Sequence, residues 1–155
     1  MRLLRKILIA LDESIEAMRG VSSAGALAGH CDPEITICHC LKLSAMSRIA
    51  KGQPDSTEGG PDWQEYNENR FKPYMDEATQ RLVDAGINAD RISRDFIVVK
   101  GNAIQKMVET AFAGNFGTIV VGRREAISFT QEHFRGRASE KIIKSLNNMA
   151  VWVVS

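Results

Sequence analysis

Thr118–Val121 (TIVV) is an unbroken run of β-branched side chains. With no polar face to offer water, such a run suits a strand covered on both sides, as in a parallel sheet flanked by helices. Lys6–Leu11 (KILIAL) repeats the pattern and ends at Asp12. Glu34–Leu41 (EITICHCL), Ile92–Val99 and Ala150–Val154 (AVWVV) supply three more apolar segments, and Arg94 and Asp95 mark the third strand as a partly exposed edge.

Between these runs the spacing becomes helical. Over Ser14–Gly29, apolar residues fall at Ile15, Met18, Val21, Ala24, Leu27 and Ala28. Small residues there, such as Gly20, Ser22, Ser23, Gly25 and Ala26, allow close packing on a sheet. Trp63–Gly86 carries a stripe of Phe71, Met75, Ala78, Leu82 and Ala85, with Pro73 as a place for a kink or split. Ala103–Ala113 buries Ile104, Met107, Val108 and Ala111, and Glu140–Leu146 is a fourth helical segment. Five strands alternating with four helices predict an α/β fold, a mostly parallel sheet with helices on both faces. A chain of 155 residues fits one domain over 1–155.

The net charge of +1 gives no bulk attraction to nucleic acid or to an acidic membrane surface. No apolar run approaches the roughly 20 residues that span a bilayer. The apolar part of Met1–Leu11 is too short for a signal sequence and meets Asp12 at once. Cys31, Cys38 and Cys40 make an odd count without a disulfide framework. These features together point to a cytoplasmic protein. Cys38, His39 and Cys40 alternate across a strand, so the cysteines face one way and the histidine the other, which is not a zinc-ligand spacing. No metal site is expected.

Ligands of open α/β sheets sit beyond the carboxyl ends of strands. Asp12 and Cys40 occupy such ends, and Glu13 and Ser14 can cap the helix that follows. Lys42–Asp62, rich in glycine and proline, is long for a loop and begins at a strand's carboxyl end, where a lid would sit. Thr118–Lys141 combines a strand, Gly122, a loop with Arg123, Arg124, Arg135 and Arg137 set against Glu125 and Glu132, then Gly136 and Ser139 before a helix. Free amides and a helix N-terminus are the parts of a phosphate site. The chain has no G-x-x-x-x-G-K-[ST] loop, no G-x-G-x-x-G after the first strand and no G-x-S-x-G elbow. His30, His39 and His133 have no evident nucleophile beside them in sequence, and of the three His133, in the central loop, is the one kept for ligand contact. Trp63, Tyr66, Phe71 and Tyr74 read as packing, because no basic groove accompanies them.

The assembled pattern resembles the universal stress protein family over nearly the whole chain. KILIALDES is similar to the family's opening strand, ITICHC to its second, VVKGNAIQKMVETA to the segment before its third helix, and VVGRRE with FRGRASEKIIKSLNNMAVWVVS to its tail. The resemblance implies a doubly wound three-layer α/β/α sandwich with strand order 3-2-1-4-5, dimeric through the last strand. That makes Val151, Trp152, Val153 and Val154 the expected homodimer contact. It also implies an adenine nucleotide, ATP or AMP. Asp12, Cys40 and Val121 match positions at the adenosine end, and Ala10 stands where the family often has proline or a small residue.

The phosphate end of the pattern departs from the family's G-x-x-G, spacer, G-[ST]. Gly122 matches the first glycine, but Glu125 replaces the second. Gly136 matches the third, one residue late, and Arg137 stands where serine or threonine is usual, with Ser139 two positions on. Arg124 and Arg137 can pair with Glu125 or with an anion. A carboxylate about 4 Å from a phosphate charge costs roughly 4 kcal/mol at an effective dielectric near 20, close to a thousandfold in affinity. The expectation is therefore a non-catalytic homodimer with weak or lost ATP binding. A nucleotide-dependent switch is the alternative. A slow ATP hydrolase ranks last, since Asp12 is the one placed base or magnesium ligand.

Overall fold

The computed structural model describes residues 3–43, 61–101, 103–123 and 148–155. Its strands are β1 (Lys6–Ala10), β2 (Glu34–Leu43), β3 (Ile92–Lys100), β4 (Thr118–Gly122) and β5 (Ala150–Val154). Its long helices are α1 (Ile15–Ala28), α2 (Pro61–Asp84) and α3 (Ala103–Ala113). The strands form one sheet in the order β3-β2-β1-β4-β5, and every neighbouring pair is parallel. Order and parallel pairing match the expectation. Among the described residues the long helices number three; the fourth expected helix, Glu140–Leu146, lies outside them.

Parallel pairing requires both faces to be covered, and two apolar clusters do this. Ile7, Ile9 and Val120 point to α1 and α2, meeting Val21, Ala24, Phe71, Met75 and Leu82. Leu8, Ala10, Ile119 and Val121 point the other way, to Met107, Val108 and Ala111 of α3. On the edge strand β3, the Arg94 guanidinium leaves the sheet to bond Asp76 and Thr79 of α2.

The buried stripe of α1 is Ala17, Met18, Val21, Ala24 and Ala28, whereas Ile15 and Leu27 are exposed. At 100° per residue both sit about 120° around the helix from Val21, beyond the reach of the sheet. A Cβ on Gly20 would come 3.3 Å from Val120, and one on Gly25 would come 2.8 Å from the Ala85 Cβ. One small residue thus sets the distance from helix to sheet and the other sets it from helix to helix. Helix α2 continues through Pro73. Phe71 and Met75, buried on either side of the proline, hold the helix to the sheet across the missing backbone bond.

The feature that positions the candidate site is a step in the sheet. The last β1–β2 pairing is Ala10 with Cys38, yet β2 runs on beside β3 as far as Leu43 and Lys100. Leu11 just outlasts the ladder, donating its N–H to the Cys38 carbonyl at 2.8 Å. Beyond it, one flank of β2 faces a space between α2 and α3.

Candidate functional site

A cavity of about 620 Å³ fills that space. This is the size of a small-molecule site, at the strand ends where open α/β sheets place ligands. Ala10, Cys38, Cys40, Ala103 and Met107 make an apolar wall on the α3 side. Trp63 and Phe71 of α2, with His39, make an aromatic wall opposite, and Asp12, Lys42, Asn67 and Arg70 supply polar groups.

Asp12 follows β1 directly. Its Oδ1 accepts from the Ser14 N–H at 2.7 Å, and the Ser14 hydroxyl accepts from the Ala17 N–H at 3.0 Å, capping α1. The carboxylate therefore shapes the turn and still has a second oxygen with acceptor capacity at the cavity. Arg70 approaches Glu13 at 3.7 Å, with both side chains more than half exposed, so the pair adds little to stability. Asn67 donates to the Trp63 carbonyl at 2.7 Å, and the Cys40 thiol reaches the Ala103 carbonyl at 3.8 Å.

His39 points away from Cys38 and Cys40, as alternation on a strand requires. Its ring lies parallel to Phe71, with centroids 3.4 Å apart and planes 6° from parallel, and meets Phe96 edge-on. Nδ1 is 2.7 Å from the Leu11 carbonyl. Burial pushes the ring's pKa below the ordinary histidine value. The bond to Leu11 and the charges of Asp12 and Glu13 oppose this, and Lys42 adds to the lowering. Since the folded value lies below the unfolded one, the neutral ring's stabilisation is complete above about pH 6.5 and is lost as pH falls beneath it.

Three sequence-derived candidates, Ala10, Asp12 and Cys40, line this one cavity. Val121 is buried beyond β1 in the α3-side cluster. Gly122 ends β4 against the first turn of α1, where a Cβ would come 3.1 Å from the Ala17 nitrogen and 3.2 Å from the Glu16 Cβ. A side chain there would crowd the first turn of that helix, so the glycine has a packing reason of its own. Arg124, Glu125, Gly136, Arg137 and Ser139 lie outside the described residues, as do His133 and residues 44–60 of the expected lid.

Sequence reasoning passed over His39, Trp63, Asn67, Arg70 and Phe71. The signal was present. Residues 63, 67, 70 and 71 share one helix face, and His39 precedes Cys40 at a strand's carboxyl end. The long loop before α2 hid which part of the sheet that face would reach.

The universal stress protein family model matches residues 4–155. No curated protein sequence matches the chain significantly. Among solved structures, a universal stress protein family member from Burkholderia pseudomallei superposes with TM-score 0.66 at 15% identity, covering 98% of this chain and 96% of that one. The universal stress protein from Archaeoglobus fulgidus in complex with dAMP gives 0.59 at 16%, covering 99% of each chain. A universal stress protein in complex with cAMP gives 0.58 at 16%, covering 97% and 96%. At such identities the likeness is one of fold.

Proposed function

This chain belongs to the universal stress protein family, and from that premise we propose a cytoplasmic, non-catalytic stress-response protein. It acts as a homodimer, takes an adenine nucleotide by its nucleoside end, and holds a triphosphate weakly or not at all. The observation that carries this reading is the cavity at the β1 and β2 carboxyl ends, with apolar and aromatic walls and Asp12 at its rim. An apolar wall facing an aromatic one suits a heteroaromatic base, and a carboxylate suits ribose hydroxyls. The dAMP and cAMP complexes of family members with this fold support an adenine nucleoside as the ligand class.

The phosphate end rests on the sequence. Glu125 places a negative charge and a side chain where nucleotide-binding relatives keep glycine, and Arg137 stands where they keep a hydroxyl. By the resemblance, Gly136 and Ser139 would supply an amide and a hydroxyl, and the charges of Arg124 and Arg137 suit either Glu125 or an anion. The arginines favour the second reading, an ATP-dependent switch.

Calorimetry with AMP and ATP separates the two. The expected result is measurable AMP binding with ATP no tighter. Micromolar ATP binding, tighter than AMP, would contradict the proposal and favour the switch.

A further inference from the structure

We propose that His39 is a positioning residue of this cavity: by holding the Leu11 carbonyl and resting on Phe71, its ring fixes the turn that presents Asp12 and thereby sets ligand affinity. The inference rests on the nucleotide reading for its ligand but on separate contacts for its geometry.

Those contacts form one chain. Phe71 is buried in the core under α2 and lies 3.4 Å from the His39 ring. His39 reaches the Leu11 carbonyl at 2.7 Å. Leu11 is bonded on its other side to the Cys38 carbonyl, and the next residue, Asp12, bonds Ser14, the cap of α1. Beyond Ala10 the β1–β2 pairing gives way to the single Leu11–Cys38 bond, and the ring joins the buried Leu11 side chain in tethering the turn. A carbonyl only accepts, so Nδ1 carries the hydrogen and the neutral ring keeps its lone pair on Nε2. With the ring stacked on one side and bonded at one edge, it cannot turn without leaving the Leu11 carbonyl unmet.

The arrangement makes binding acid-sensitive. Asp12 and Glu13 from the β1–α1 turn favour the imidazolium, while Lys42 on β2 opposes it. Helix α2 brings the apolar face of Phe71, and also Arg70, drawn toward Glu13; β3 brings the edge of Phe96. Burial outweighs the carboxylates. A ligand that buries the ring further raises the cost of protonation, so protonation and binding oppose each other.

The test uses adenosine, which carries no phosphate to titrate, against wild type, His39→Phe and His39→Asn. Phenylalanine keeps the stack and removes the donor; asparagine returns an N–H near the Nδ1 position. Wild-type affinity is expected to fall as pH drops through the His39 titration. His39→Phe is expected to bind roughly tenfold more weakly with a flat profile, and His39→Asn to regain affinity while staying flat. Ring 15N shifts of the wild type should report hydrogen on Nδ1. Hydrogen on Nε2, or a His39→Phe protein that binds as wild type with the same pH profile, overturns the proposal. If wild type binds no adenosine at any pH, the nucleotide reading fails, and amide exchange at Asp12, Glu13 and Ser14 decides the positioning role. Faster exchange in His39→Phe, restored in His39→Asn, supports it; equal rates overturn it.

Discussion

Phe71→Ala is expected to lower unfolding free energy by about 3–5 kcal/mol, the range for deleting a fully packed aromatic ring. Phe71 is 3% exposed, stacks on His39, lies 5.1 Å from the Tyr74 ring and meets Phe96 edge-on. Truncation removes apolar burial and all three ring contacts and leaves a cavity where α2 meets β2. Phe71→Leu keeps most of the volume and loses the stacking, so its cost should stay near 1 kcal/mol. The same ring walls the ligand cavity, so the alanine variant should also lose nucleotide binding under conditions where it remains folded. Urea unfolding of the two variants checks the ranking. An alanine cost below about 1 kcal/mol would mean that α2 does not secure the sheet at this point.

Val153→Glu is expected to convert the proposed homodimer into monomers. Among the described residues β5 is the sheet's last strand, paired with β4. Trp152 and Val154 turn inward to the cluster under α1, while Val151 and Val153 are 42% and 55% exposed. An apolar edge strand with open backbone groups is a template for pairing with a second copy, and two-fold pairing is the commonest closure. In such a pair the substitution is made twice and brings two carboxylates into a drying interface. Uncompensated buried charge of this kind costs about 3–5 kcal/mol, enough to raise a micromolar dissociation constant into the millimolar range. Val153→Thr, which preserves shape and strand propensity, should remain dimeric. Sedimentation velocity reads both. An unshifted Val153→Glu dimer, or a wild type already monomeric, would contradict pairing through β5.

The sheet was legible because the strands are short and largely apolar, with Arg94 and Asp95 interrupting only the edge strand β3, and the intervening segments repeat at three or four residues. Local pattern determined the order of elements, and resemblance supplied the strand order that was then found. Pattern failed where two causes leave one trace. An aromatic stripe on α2 reads the same whether it only packs or also walls a cavity, and Trp63 and Phe71 do both. A glycine at a strand end reads as a phosphate cradle, yet Gly122 is pressed against the backbone of α1. A substitution there would therefore report packing before it reported ligand. Ile15 and Leu27 fit an apolar face by spacing alone, but the sheet covers a narrower arc of α1 than the spacing suggests. Within the site, Asp12 and Cys40 could be anticipated because strand ends are where ligands go. His39 stood beside Cys40 at the same strand end, but its role depends on Leu11 and Phe71, residues distant in sequence.

The central claim is that a nucleoside enters between α2 and α3 at the ends of β1 and β2. Amide chemical shifts recorded while AMP is added test it most directly. Shifts concentrated at Asp12, His39, Cys40, Phe71 and Ala103 are the predicted result. Saturating AMP that leaves these amides unmoved, or that instead moves Thr36, Ser93 and Lys106 in the groove beside β3, would contradict it.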